Sequence, residues 1–199
     1  MIRKVASLGL GGLALLIALG TTATQEAHAT SMIRATVEDL TDAAHYIVRG
    51  TVTEVWTETD ANGRIWTRAQ LEVSHQYKGE AGEGLIISQL GGVHHNDFSL
   101  IEGSARFSVG EEGLFFLERL GSGNVVTSGK FQGKFTVRID PDNGQEMLVR
   151  FLAPQDMVYD HRFIPHPAPE DRVYFDDIEQ RVMTRLEVAQ APALDKGDK

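Results

Sequence analysis

The stretch Tyr46-Ile-Val-Arg-Gly50-Thr-Val-Thr-Glu-Val-Trp56 decides the fold. It is rich in β-branched and aromatic residues and contains no proline, which is the composition of a strand. Val48, Gly50 and Val52 share one face at period two, while Arg49, Thr51 and Thr53 take the other. Val55 falls out of phase, so a bulge or bend is expected near Thr53 and Glu54. Gly50 within such a strand marks a close backbone approach or a sharp coil. A long, bent first strand able to pair on both edges is what a small closed barrel requires.

Working outward, Asp60-Ala-Asn62-Gly63 is a hairpin signal. It leads into a second strand, Ile65 to Tyr77, where Thr67, Ala69, Leu71 and Val73 alternate with polar residues. His75 falls on the core phase of that strand. Leu85 to Leu90 is a third strand. Gly91-Gly92 opens a long loop to about Ser104, and a loop of that length in a compact domain is usually functional or mobile. Gly113-Leu-Phe-Phe-Leu117 is a continuous apolar run and reads as a strand buried on both sides. Val125-Val126 is a short strand, and Phe135, Val137 and Ile139 form one face of the next. Asp140-Pro-Asp-Asn-Gly144 turns the chain onto Met147 to Leu152. Val48, Val52, Leu71, Val73, Phe116, Leu117, Phe135 and Val137 are the expected core.

Two helices flank this β region. Thr36 with Asp39 reads as a capping box opening a short helix to about Ala44. Asp176 with Glu179 reads as a second one, before an apolar stripe of Ile178, Val182 and Leu186 from about Asp177 to Ala189. The fold class is therefore mainly β: an OB-like closed or partly open barrel of about five to seven strands, with a short N-terminal helix and a C-terminal helix. Residues 30–153 form the barrel domain. Residues 154–199 form a linker with Pro165, Pro167 and Pro169, the amphipathic helix and a disordered tail.

Residues 1–29 read as a cleavable signal peptide. Arg3 and Lys4 precede an apolar run from Leu8 to Leu19 too short to span a bilayer comfortably, and Ala27-His28-Ala29 is a small-x-small cleavage site. Export to the periplasm or the medium is expected, with the mature chain starting at Thr30 and no membrane attachment afterwards. Losing Arg3, Lys4 and Glu26 moves the formal charge from −9 to −10. That acidity argues against a nucleic-acid partner. The chain has no cysteine, which rules out disulfides, zinc–thiolate sites and thiol chemistry.

Ala44 to Val52, Lys78-Gly79, Gly91-Gly92, Phe107 to Leu117 and Phe131-Gln-Gly-Lys-Phe135 together resemble a family of uncharacterised exported bacterial proteins with an OB-like barrel. The middle element stands here as Phe107-Ser-Val-Gly-Glu111 with Phe116-Leu117. A weaker similarity links that barrel to the netrin-like, tissue metalloprotease-inhibitor OB domains. It implies an exported protein partner, a metalloprotease among the candidates. Those inhibitors chelate zinc through an N-terminal cysteine, where this chain has Thr30-Ser31.

The expected function is a non-catalytic binding module of the periplasm or medium, with no cofactor; protease inhibition is a special case of it. Its candidate surface is His94, His95, Asn96, Asp97 and Phe98 on the long loop, with Trp56 and Trp66 on the first hairpin. Histidine is the commonest metal ligand, so His94, His95, His161 and His166 offer a competing reading as a metal-dependent hydrolase or metal carrier. Adjacent histidines do not easily face one ion, however, and no H-x-H spacing occurs. Glu111-Glu112 reads either as a carboxylate pair or as charges guarding an aggregation-prone strand. No serine, histidine and acid stand in a recognisable nucleophile setting.

Overall fold

A computed structural model describes residues 31–150, 157–159, 165–167 and 171–190. The expected signal peptide, much of the expected linker and the tail lie outside them. In chain order the elements are β1 (Ser31–Ile33), α1 (Val37–Ala43), β2 (Tyr46–Thr59), β3 (Ile65–Lys78), β4 (Gly84–Leu90), β5 (Gly92–His94) and β6 (Asp97–Ser99). There follow β7 (Glu112–Arg119), β8 (Val125–Thr127), β9 (Lys134–Ile139), β10 (Glu146–Arg150), β11 (Met157–Tyr159), β12 (Pro165–Pro167), β13 (Asp171–Tyr174) and α2 (Phe175–Gln190).

The protein is mainly β. Eight strands form one sheet in the order β13-β10-β9-β7-β2-β3-β4-β8. Because β8 also pairs with β7, five of these strands close a ring: β2, β3, β4, β8, β7 and back to β2. The β4–β8 join is parallel and rests on a single pair, Ile87 with Val125. Side chains reinforce it. Gln89 Nε2 donates to Thr127 Oγ1, and Arg68 reaches Ser88 Oγ and Asn124 Oδ1.

β2 makes the closure possible. Its first half pairs with both β3 and β7, its second half with β3 alone. The register slips between Val52 and Glu54, at the expected bulge. Gly50 has a local reason too: a Cβ there would stand 2.4 Å from the carbonyl oxygen of Glu72.

The buried apolar residues divide into two clusters, where the sequence reading has one core. Val48, Val52, Ala69, Leu71, Leu85, Ile87, Phe115, Leu117 and Val125 fill the ring. Ile47, Leu114, Phe116, Phe135 and Leu148 face the other way and pack beneath Val37, Leu40 and Ala44 of α1 and Phe175, Ile178 and Val182 of α2. The run 113–117 is therefore buried on both sides, one face toward the ring and the other toward the helices. Val73 and Val137, expected in the core, are only partly buried. His75 is exposed, because the core phase of β3 runs out where the strand extends past β4.

The Thr36–Asp39 capping box is present, with Asp39 N donating to Thr36 Oγ1 at 3.1 Å. The second capping box is not. α2 starts at Phe175, so Asp176 lies inside its first turn. There its carboxylate favours the N-terminal end of the helix dipole. β13 and α2 both lie beyond the expected 153/154 boundary, yet β13 pairs with β10 and α2 shares its core with α1. Arg181 and Arg185 make paired ion contacts to Glu38 and Asp42 of α1, at 2.7 and 2.5 Å. Arg49 binds Glu146 with both terminal nitrogens, binds Glu112 through Nε, and lies 4.5 Å from the ring centre of Phe175.

Candidate apolar contact surface

Residues 91–104 are not one irregular loop. Gly92–His94 and Asp97–Ser99 pair as a small hairpin, with Val93 opposite Phe98 and His95-Asn96 at its tip. Gly91 sets its departure from β4. Its φ is 97°, its N–H donates to Ile65 O at 2.8 Å, and a Cβ would stand 2.7 Å from Ser99 O. Only glycine meets both conditions without strain.

Threonines on β2 and β3 hold the hairpin down. Thr57 Oγ1 donates to Val93 O at 2.9 Å and lies 3.2 Å from His94 Nδ1. Thr67 Oγ1 donates to Gly91 O at 2.7 Å. The structure thus joins the two parts of the expected surface, the long loop and the first hairpin. Between them runs a groove of about 460 Å³, lined among others by Thr59, Arg64, Ile65, Asp97, Phe98 and Ile101.

The polar attachment leaves an apolar stripe in solvent. Val93, Phe98 and Leu100 are 67%, 80% and 74% exposed. Val93 faces Phe98 across the pair, and Leu100 follows just beyond the end of β6. Exposed apolar side chains gathered on one element mark a contact surface more often than singly scattered ones. Val93 and Leu100 are absent from the sequence reading. Their signal is the alternation Val93, Phe98, Leu100 around a two-residue turn, which a reading of the segment as irregular loop conceals.

His94 is half-buried and sits against Thr57, whereas His95, at a φ of 53°, Asn96 and Asp97 are exposed. Trp66 lies beneath the first hairpin, not on its surface. It is buried, its indole N–H donates to Asp60 Oδ2 at 3.0 Å, and the guanidiniums of Arg64 and Arg68 lie 5.6 and 5.3 Å from its ring. The Trp66 indole, then the backbone N–H of Arg64, hold the Asp60 carboxyl well below the usual carboxylate range. Trp56 is half-buried and stands opposite Arg68, diagonal to Trp66.

Of the four histidines of the metal reading, only His94 and His95 have described side chains. The rings of His94 and His95 are 4.3 Å apart, His161 lies outside the described residues, and of His166 only the backbone in β12 is described. Among the described residues no three His, Asp or Glu side chains converge as a metal site would require. Glu111 and Glu112 do not act as a pair: Glu111 binds Lys134 at 2.5 Å and Glu112 binds Arg49 at 2.7 Å. No described helix is long and apolar enough to cross a membrane.

No protein-family model matches the chain, and no curated protein matches it either.

Proposed function

We propose that this is an exported, non-catalytic binding module built on an OB-like barrel. The ring order β2-β3-β4-β8-β7, with its parallel β4–β8 join, supports the barrel reading. The observation that carries the binding reading is the Val93–Phe98–Leu100 stripe, exposed on a hairpin anchored through Thr57 and Thr67. A preorganised apolar anchor loses little entropy on binding and suits the centre of a protein contact. The occupant of this reading is an exported protein whose own surface completes the contact around these three side chains. Inhibition of an exported metalloprotease is the narrower form of this reading and rests on the resemblance of the barrel alone.

The test compares tagged wild-type chain with Phe98→Ser and Leu100→Ser as baits in native culture medium. The variants should melt like the wild type and lose the protein that the wild type retains. Variants that retain it equally well would remove this hairpin from the function.

A further inference from the structure

We propose that the Asn62–Gly63 peptide is a self-modification site, at which the chain converts asparagine to aspartate and isoaspartate without an enzyme. The chain holds two Asn-Gly pairs, Asn62–Gly63 and Asn143–Gly144. The reaction requires a carboxamide that can swing onto the next peptide nitrogen, and a following residue without a Cβ in the way.

The two backbones are matched. Both glycines have positive φ, 75° and 74°, and neither has an atom within 4 Å of a built Cβ. Gly63 N donates to Asp60 O at 2.9 Å, and Gly144 N donates to Asp140 O at 2.8 Å. The side chains differ. Asn143 Oδ1 accepts from Gln145 N at 2.9 Å, while its Nδ2 donates to Gln145 Oε1 at 3.2 Å and to Tyr174 Oη at 2.9 Å. Those bonds fix the carboxamide in place. Asn62 is exposed, and among the described residues only its backbone N–H is bonded, to Asp60 Oδ1 at 2.9 Å. Its carboxamide turns freely on a turn that Asp60 holds in shape.

In the reaction the Gly63 nitrogen attacks Cγ of Asn62. The new N–Cγ bond forms, the Cγ–Nδ2 bond breaks, and the nitrogen's proton leaves with the amine as ammonia. Water then opens the five-membered imide at either carbonyl, giving aspartate or isoaspartate, with no change of oxidation state. The product places a negative charge at the turn beside Arg64, on the rim of the groove.

Full-length chain is incubated in warm, mildly alkaline buffer, digested at intervals and mapped by mass spectrometry. The peptide holding Asn62 should gain the mass of an amide-to-acid exchange about tenfold faster than the one holding Asn143, the factor expected when hydrogen bonds must first break. Equal rates, or a faster Asn143, would overturn the proposal. Tyr174→Phe removes one of the bonds on Asn143 and should speed that site while leaving Asn62 unchanged. If Asn143 does not respond, the side-chain hydrogen bonds are not what separates the two sites.

Discussion

Glu111 Oε1 and Lys134 Nζ stand 2.5 Å apart, with each side chain only 12% exposed. The pair joins the approach to β7 to the first residue of β9. Thr136 also donates to Glu111, Lys134 donates to the carbonyl of Arg106, and the Lys134 ammonium lies 5.3 Å from the Phe107 ring centre. Burial pushes the Lys134 ammonium down from its ordinary value, and the Glu111 carboxylate opposes that shift. Lys134→Met leaves the carboxylate without its cation, and should cost about 3 kcal/mol in urea unfolding. Adding Glu111→Leu should recover part of that loss. A double variant less stable than the single one would show that the pair is not the source of the cost.

The α1–α2 contact should weaken in acid. The Arg181 guanidinium holds Glu38 down to about 2 from an ordinary 4.5. A carboxyl lowered on folding contributes stability that is complete above its unfolded value and is lost as pH falls through the folded one. The window is therefore from about 4.5 down to about 2. Both side chains are more than 40% exposed, so the contribution is below about 1 kcal/mol. Unfolding free energy measured against pH should fall less steeply in Glu38→Gln across that window.

Phe116 is fully buried beneath the helices, against the Phe135 ring at 5.8 Å. Phe116→Ala should cost about 3–5 kcal/mol, the lost transfer energy plus the cavity left behind. Equilibrium unfolding checks it, and a change below about 1 kcal/mol would contradict the burial.

Deleting residues 171–199 strips an edge strand from β10 and uncovers Ile47, Leu114, Phe116 and Leu148. The truncated chain should lose cooperative thermal unfolding or bind a hydrophobic dye, since domains this size are stable by only about 5–15 kcal/mol. A truncated chain that melts as sharply and as high as the full one would mean that the ring stands alone.

The long strands, the short N-terminal helix and the first turn were legible in the sequence because their signals are local, whereas β5, β6 and β13 were not. Period-two alternation in Tyr46–Trp56, the slip at Val55, the Asn62-Gly63 turn, the Thr36 capping box and the apolar run 113–117 each depend on neighbours a few residues away. The strand edges are different. That β7 divides its second edge between β9 and β8, and so closes a ring, depends on pairings between residues far apart in the chain. No local pattern carries that information. The same holds for the two-sided core: Phe115 and Phe116 are equally apolar, and only the packing decides which faces Val48 and which faces α2.

The candidate surface divides along the same line. The sequence by itself determined that 91–104 is long, glycine-led and mixed in polarity, and that Phe98 lies within it. Tertiary structure decided that Thr57 and Thr67 catch the backbone of this segment and fold it into a hairpin. With the Gly91 and Val93 carbonyls and the His94 ring turned to Thr67 and Thr57, the hairpin leaves Val93, Phe98 and Leu100 to solvent. Tertiary structure likewise buried Trp66, which the sequence leaves open as a contact residue, because Asp60 and two arginines surround it. A side chain's chemistry is written in its own residue; its exposure is set by what the rest of the chain brings against it.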